Sequence, residues 1–172
     1  PEELAERGQE HGIKVMALTD HDTIDGCKQM AIACVERDIE FIPGCEFTVE
    51  LDGFELHLLG YFLDLQCAKL IAQLEKYQAV RQNRIHKMVS RLNELGVKIT
   101  SDDVLDIASC NSPGRPHIGR VMVAKGYCRS LDESFQKYLK MMANLTSVNW
   151  NRMHCSTLKN PKYWWPVVAV LC

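Results

Sequence analysis

The residues of this chain best suited to chemistry are His21, Glu46 and His57, with Asp20 and Asp22 on either side of the first. Two imidazoles and one carboxylate suit zinc, manganese or iron, and match calcium poorly because calcium takes oxygen ligands. Asp20 and Asp22 are placed to orient imidazoles through the ring nitrogen turned away from a metal, or to cap a helix at the turn that follows. Taken singly, each residue also has an ordinary reading: a histidine at a strand end is commonly a hydrogen-bonded core residue, and an acid after Pro43-Gly44 can be a solvated turn residue. What joins the three is that independent local patterns place each of them at a strand end or on the polar face of one hairpin.

Those patterns begin with Val15-Met16-Ala17-Leu18, an apolar run with the character of a strand buried on both faces, as in a parallel sheet. Thr19 to Asp22 then lie at its C-terminal end, where barrel-like α/β folds carry their chemistry. A helix is expected before this strand, over residues 2–11, and another after it, over 23–37. The second has Thr23 as N-cap and buries Ile24, Cys27, Met30, Ala31 and Cys34 at three- and four-residue spacing. Alternation of helix and strand indicates α/β architecture. Further on, Asp52-Gly53 sits between two alternating runs, a strong hairpin signal. With those two residues as the turn, Leu51 pairs with Phe54, Glu50 with Glu55, Val49 with Leu56 and Thr48 with His57. Glu46, Thr48 and His57 then share one face, with Glu46 and His57 as diagonal neighbours, and Phe47, Val49, Leu51, Phe54, Leu56 and Leu58 form the core face.

From about Gln66 to Leu95 the period becomes helical, with a stripe of Leu70, Leu74, Tyr77, Met88, Leu92 and Leu95 ending at Gly96. Arg81 and Arg84 interrupt it, on or beside the inward face, where an unpaired charge is costly and an anionic partner is needed. A short helix near 102–108 leads to Cys110-Asn111-Ser112-Pro113-Gly114-Arg115, and Pro116 opens the next helix, which closes at Lys125-Gly126. His117 falls in its first turn, where backbone N–H groups favour an anion, with Arg115 beside it. These four residues read either as a phosphate clamp or as a solvated helix face with ordinary ion pairs. His86 and His154 lack such context and read as surface residues. Ser130 and Glu133 make a capping box for a helix to about Lys140. Beyond Asn144 periodic signals weaken around Trp150, Trp164 and Trp165, and Val167 to Leu171 alone resembles a buried strand. Asn144-Leu145-Thr146 matches a glycosylation acceptor pattern but reads as incidental without a secretory signal.

With 172 residues, 47% of them hydrophobic and 24% charged, the chain is long enough for one domain, or one domain and a subdomain. Its net charge of −2 provides no basic footprint for duplex DNA, so a small substrate fits this balance better. The eight cysteines are scattered singly, which reads as reduced thiols in a cytoplasmic protein. No segment approaches the ~18 apolar residues of a membrane span. The first residue is Pro1, already inside a helical pattern, so the chain reads as a fragment.

Leu18-Thr19-Asp20-His21-Asp22-Thr23-Ile24-Asp25-Gly26, Ile42-Pro43-Gly44-Cys45-Glu46-Phe47, Glu55-Leu56-His57-Leu58-Leu59-Gly60-Tyr61 and Gly114-Arg115-Pro116-His117 together resemble the PHP (polymerase and histidinol phosphatase) superfamily, most nearly its TrpH/YciV-type phosphoesterases. The resemblance covers roughly residues 1–140. It implies a distorted (β/α)7 barrel, partial here, with a helical insertion subdomain: barrel over 1–61, insertion over 62–140, and an uncertain return to the barrel over 141–172. It further implies a di- or trinuclear site, often manganese, with zinc, iron or magnesium as alternatives, in which His21, Glu46 and His57 match metal ligands. His21, Asp20 and Asp22 would stand at the catalytic centre, while Arg81, Arg84, Arg115 and His117 would bind substrate phosphate. The implied reaction is hydrolysis of a phosphate ester, either the 3′-phosphate of a 3′,5′-bisphosphonucleotide or the 5′ end of short RNA. The family's opening His-x-His would lie before Pro1 and its later ligands beyond Cys172. A reading from another class therefore stands beside the enzyme: a non-catalytic module that binds metal weakly or offers its helical insert as an interaction surface.

Overall fold

The structure, a computed structural model, describes residues 1–51 and 54–142. The Asp52-Gly53 turn, the Asn144 to Thr146 pattern, His154 and the expected strand from Val167 lie outside the described residues. Those described divide into two compact units, one of residues 1–74 and one from Glu75 onward.

The first unit has the order α1 (Glu2–Glu10), β1 (Val15–Leu18), α2 (Cys27–Val35), β2 (Glu40–Leu51) and β3 (Phe54–Tyr61). β2 is the central strand: Glu40 to Pro43 run parallel to β1, and Gly44 to Leu51 run antiparallel to β3. The hairpin register is the one expected from its alternation, with Leu51 opposite Phe54, Val49 opposite Leu56 and Thr48 opposite His57. One face of this sheet is covered where Met16, Leu18 and Phe41 pack against Ala5, Met30, Ala33, Cys34 and Ile39. Among the described residues β1 is not buried on both faces. Val15 is 48% exposed, because α1 and α2 cover the other side of the strand.

Gly44 stands where β2 changes partner. A Cβ there would lie 2.8 Å from Thr19 Cγ2 and 2.9 Å from both the Leu18 and Gly60 carbonyl oxygens, so β1 and β3 can flank β2 this closely only around a glycine. α2 begins at Cys27, four residues later than expected, and Thr23 is not its N-cap; the N-cap is Gly26, without a side-chain bond. Asp22 adopts a left-handed conformation (φ 51°) and Thr23 Oγ1 accepts from the Asp25 N–H, so residues 22–25 turn before the helix starts.

α3 (Ala68–Glu94) begins in the first unit and continues into the second, which also holds α4 (Ser101–Ala108), α5 (Arg115–Ala124), α6 (Leu131–Ser134) and a π-helical turn, Phe135–Leu139. Its core joins Ile85, Met88, Val89 and Leu92 of α3 to Val97, Ile99, Val104, Ile118, Val121, Met122 and Leu139. Leu95 is not part of the stripe: it is 47% exposed. α3 ends at Glu94, Gly96 takes φ 85°, and the Val97 N–H reaches back to the Leu92 carbonyl at 3.0 Å, so Val97 enters the core in place of Leu95. Thr100 and Asp103 form a reciprocal capping box on α4. At α6 the Ser130 hydroxyl caps the Glu133 N–H as expected, while the Glu133 carboxylate accepts instead from the Arg129 N–H. Among the described residues no helix is long and apolar enough to cross a membrane.

Candidate metal centre

The site is built where the chain leaving β1 runs beside the second half of β2. The Glu46 N–H donates to the Asp20 carbonyl at 3.0 Å and the Asp22 N–H donates to the Glu46 carbonyl at 2.9 Å, a single parallel bridge between His21 and Glu46 beyond the end of β1. Residues paired in a bridge present their side chains to the same face. On that face His21 Nε2 lies 3.6 Å from one Glu46 oxygen, and His57 Nδ1, delivered by β3, lies 3.1 Å from the other. The two imidazole rings meet edge to face with centroids 4.8 Å apart.

The three donor atoms all lie within 4.8 Å of one another. Donors sharing one ion at the ~2.0–2.2 Å of histidine and carboxylate ligation stand roughly 3–3.5 Å apart, so the set fits a divalent cation with small side-chain adjustment. A mixed nitrogen and oxygen donor set of this kind suits a divalent metal ion. All three side chains are partly exposed, although the His57 Nδ1 atom itself is buried.

The flanking acids differ sharply. Asp20 is exposed; its carbonyl does the local work, accepting from Glu46 N–H and from Cys45 Sγ at 3.5 Å, while its carboxylate lies beside Gly26. Asp22 is fully buried, and its two oxygens accept from the Thr48 N–H and the Thr48 hydroxyl, both at 2.8 Å. Thr48 is the participant that sequence reasoning left unassigned, although its position opposite His57 and two residues from Glu46 marked it as a neighbour. Cys45, beside Glu46, is buried and its thiol is pushed up to about 12 by that burial, with the Asp22 charge acting in the same direction. It stays a protonated donor.

In the second unit, Arg81 is buried on the inward stripe of α3, between Tyr77 and Ile85, and Arg84 is half-buried. A Cβ at Gly114 would stand 3.9 Å from Arg81 Nη1, so the loop entering α5 lies against this guanidinium. The Arg115 guanidinium is 6.0 Å from the centroid of the Phe135 ring. Pro116 occupies the second helical position and His117 the third, where His117 Nδ1 accepts from the Gly114 N–H at 3.0 Å. That bond leaves Nε2 as the nitrogen carrying the proton of the neutral ring. Burial, with the Arg120 charge second, holds the His117 pKa below its ordinary value. In the same loop Ser112 Oγ is buried and has no hydrogen-bond partner among the described residues. His86 is exposed and contacts the Ser101 hydroxyl.

The family model described as the PHP domain matches residues 1–148. A 5′-3′ exoribonuclease of Haemophilus influenzae is 32% identical over 139 residues, covering 81% of this chain and 50% of that protein. A 3′,5′-nucleoside bisphosphate phosphatase of Chromobacterium violaceum is 29% identical over 142 residues, covering 81% of this chain and 49% of its own. The chain thus spans about half the length of the curated relatives it matches. Among solved structures, a Bifidobacterium adolescentis protein assigned to the metal-dependent phosphoesterases superposes with a TM-score of 0.72 at 25% identity, over 98% of this chain and 54% of that one.

Proposed function

We propose, from the premise that this chain belongs to the PHP domain family, that it supplies one wall of the metal site and the phosphate-binding element of a phosphoesterase acting on nucleotides. The observation that carries this reading is the convergence of His21, Glu46 and His57 at the end of a strand, with their donor atoms within 4.8 Å of one another. Manganese is the ion proposed. A divalent ion held there would supply a Lewis acid for a phosphoryl oxygen and a more acidic water. Glu46 would contribute the compensating negative charge, and the two neutral imidazoles would fix its orientation.

The substrate class follows from the relatives' activities and from groups in the second unit. Arg81 and Arg84 carry charge on a mostly apolar stripe, Ser112 presents a buried hydroxyl, and His117 keeps its proton on Nε2. Guanidinium forks and neutral N–H or O–H donors suit a phosphate dianion. In the proposed reaction a water oxygen adds to phosphorus, the ester P–O bond breaks, and the departing sugar hydroxyl takes a proton. Substrates are 3′,5′-bisphosphonucleotides or the 5′ end of short RNA.

The test is phosphate release from adenosine 3′,5′-bisphosphate, and shortening of a 5′-phosphorylated oligoribonucleotide, by the product of the full reading frame that contains this segment. Manganese-dependent turnover, reduced at least ~100-fold by His57→Ala, supports the reading. No turnover of either substrate with manganese, zinc, iron or magnesium sinks it.

A further inference from the structure

Beyond the three candidate ligands, we propose that Asp22 and Thr48 form a positioning pair that holds His21, Glu46 and His57 in register; this rests on the metal-site reading above. The backbone explains why such a pair is needed. In a parallel ladder the bridge between His21 and Glu46 would be followed by a rung from the Thr48 N–H to the carbonyl of Asp22. That rung is replaced. Asp22 takes φ 51°, turning the chain away toward α2, and its side-chain Oδ1 receives the Thr48 N–H at 2.8 Å instead. The second oxygen receives the Thr48 hydroxyl, also at 2.8 Å. The carboxylate therefore extends the ladder by one rung after the backbone has left it.

The position of this rung gives it leverage. Asp22 is the next residue after His21, Thr48 is two residues beyond Glu46 on the same face, and Thr48 pairs directly with His57 across the hairpin. One carboxylate thus ties the three segments that carry the donors. The pair is also sealed from solvent, with Asp22 at 0% and Thr48 at 1% exposure, where hydrogen bonds to a charged group are strong and their loss is costly. Outer-sphere partners of this kind typically change metal affinity 10–100-fold when removed. Residue types are constrained as well. Aspartate and asparagine tolerate the left-handed conformation and glycine adopts it freely, whereas alanine there is strained.

The experiment uses this chain and cobalt(II) alone as the probe, reading the dissociation constant and the visible d–d spectrum, with the melting temperature of the metal-free protein measured alongside. Asp22→Gly, which keeps the backbone turn, and Thr48→Val, which keeps the shape, should each weaken cobalt binding at least ~10-fold and shift the bands. Asp22→Asn and Thr48→Ser, which preserve hydrogen bonding between the two positions, should restore affinity to within ~3-fold even where melting temperatures fall. The double variant should bind no more weakly than Asp22→Gly alone, because Asp22→Gly already removes the hydroxyl bond that Thr48→Val deletes. Cobalt binding unchanged in Asp22→Gly and Thr48→Val overturns the pairing, as does an Asp22→Asn variant as weak as Asp22→Gly, which would assign the effect to charge. A folded wild-type chain that binds no cobalt overturns the metal-site reading itself, and with it this inference.

Discussion

His21 and Glu46, separated by 25 positions in sequence, face each other across one isolated parallel bridge, with His21 Nε2 3.6 Å from Glu46 Oε2. This relationship makes the site a property of chain crossing rather than of any motif. β1 delivers the histidine only because β2 runs alongside past the end of the regular ladder, and β2 in turn pairs with β3, which delivers His57.

Gly44 is the point on which that crossing depends. Gly44→Ala forces a methyl against the Leu18 and Gly60 carbonyl oxygens, both backbone atoms that cannot swing aside. The expected cost is about 1–3 kcal/mol of stability. Chemical denaturation should show it, together with weakened metal binding although no donor has changed.

The proposed phosphate-binding element should be separable from the metal. In the product of the full reading frame, Arg84→Ala and His117→Ala should each raise the KM for a 3′,5′-bisphosphonucleotide while metal content, read by elemental analysis, stays near that of the wild type. Loss of metal instead would mean the residues are misassigned.

His117 carries a pH dependence whose sign can be worked out. Its pKa in the folded chain lies below the ordinary 6.5, with burial as the main cause. Between those two values the unfolded chain holds the extra proton, so raising the pH through that window stabilises the fold, and the gain is lost on acidification. His117→Asn can still accept from the Gly114 N–H without titrating. Denaturation midpoints of the wild type should rise from pH 5 to pH 7 relative to this variant; parallel profiles would contradict the assignment.

Asp103 acts in a different window. Its hydrogen bond from Lys125, followed by those from Thr100, holds its carboxyl down to about 2, against 3.8 ordinarily. A depressed acid contributes stability that is complete above the unfolded pKa and disappears as pH falls toward the folded one. Comparing wild type with Lys125→Met, the stability difference should be present at pH 5 and gone near pH 2.

Sequence carried some of this further than other parts. The register from Leu51 opposite Phe54 to Thr48 opposite His57 was legible because period-two alternation and a turn signal are local. Glu46, Thr48 and His57 on one face followed from it. The bridge from His21 to Glu46 was not legible, since nothing local encodes a pairing across 25 residues. The late start of α2 had the same origin: Asp22 spends its carboxylate on Thr48 and its backbone on a left-handed turn, neither visible in helical periodicity. On α3 the arginines do interrupt an inward stripe, but periodicity alone does not single out Ile85, buried one turn beyond Arg81, and it points to Leu95, which Gly96 turns out of the core.

The most direct test of the central claim is manganese(II) titration of this chain beside His21→Ala, Glu46→Ala and His57→Ala, with His11→Ala and His86→Ala as exposed-histidine controls. The account expects saturable binding by the wild type and both controls, weakened at least ~10-fold in each of the three site variants. Site variants that remain folded and bind manganese as the wild type does would contradict it.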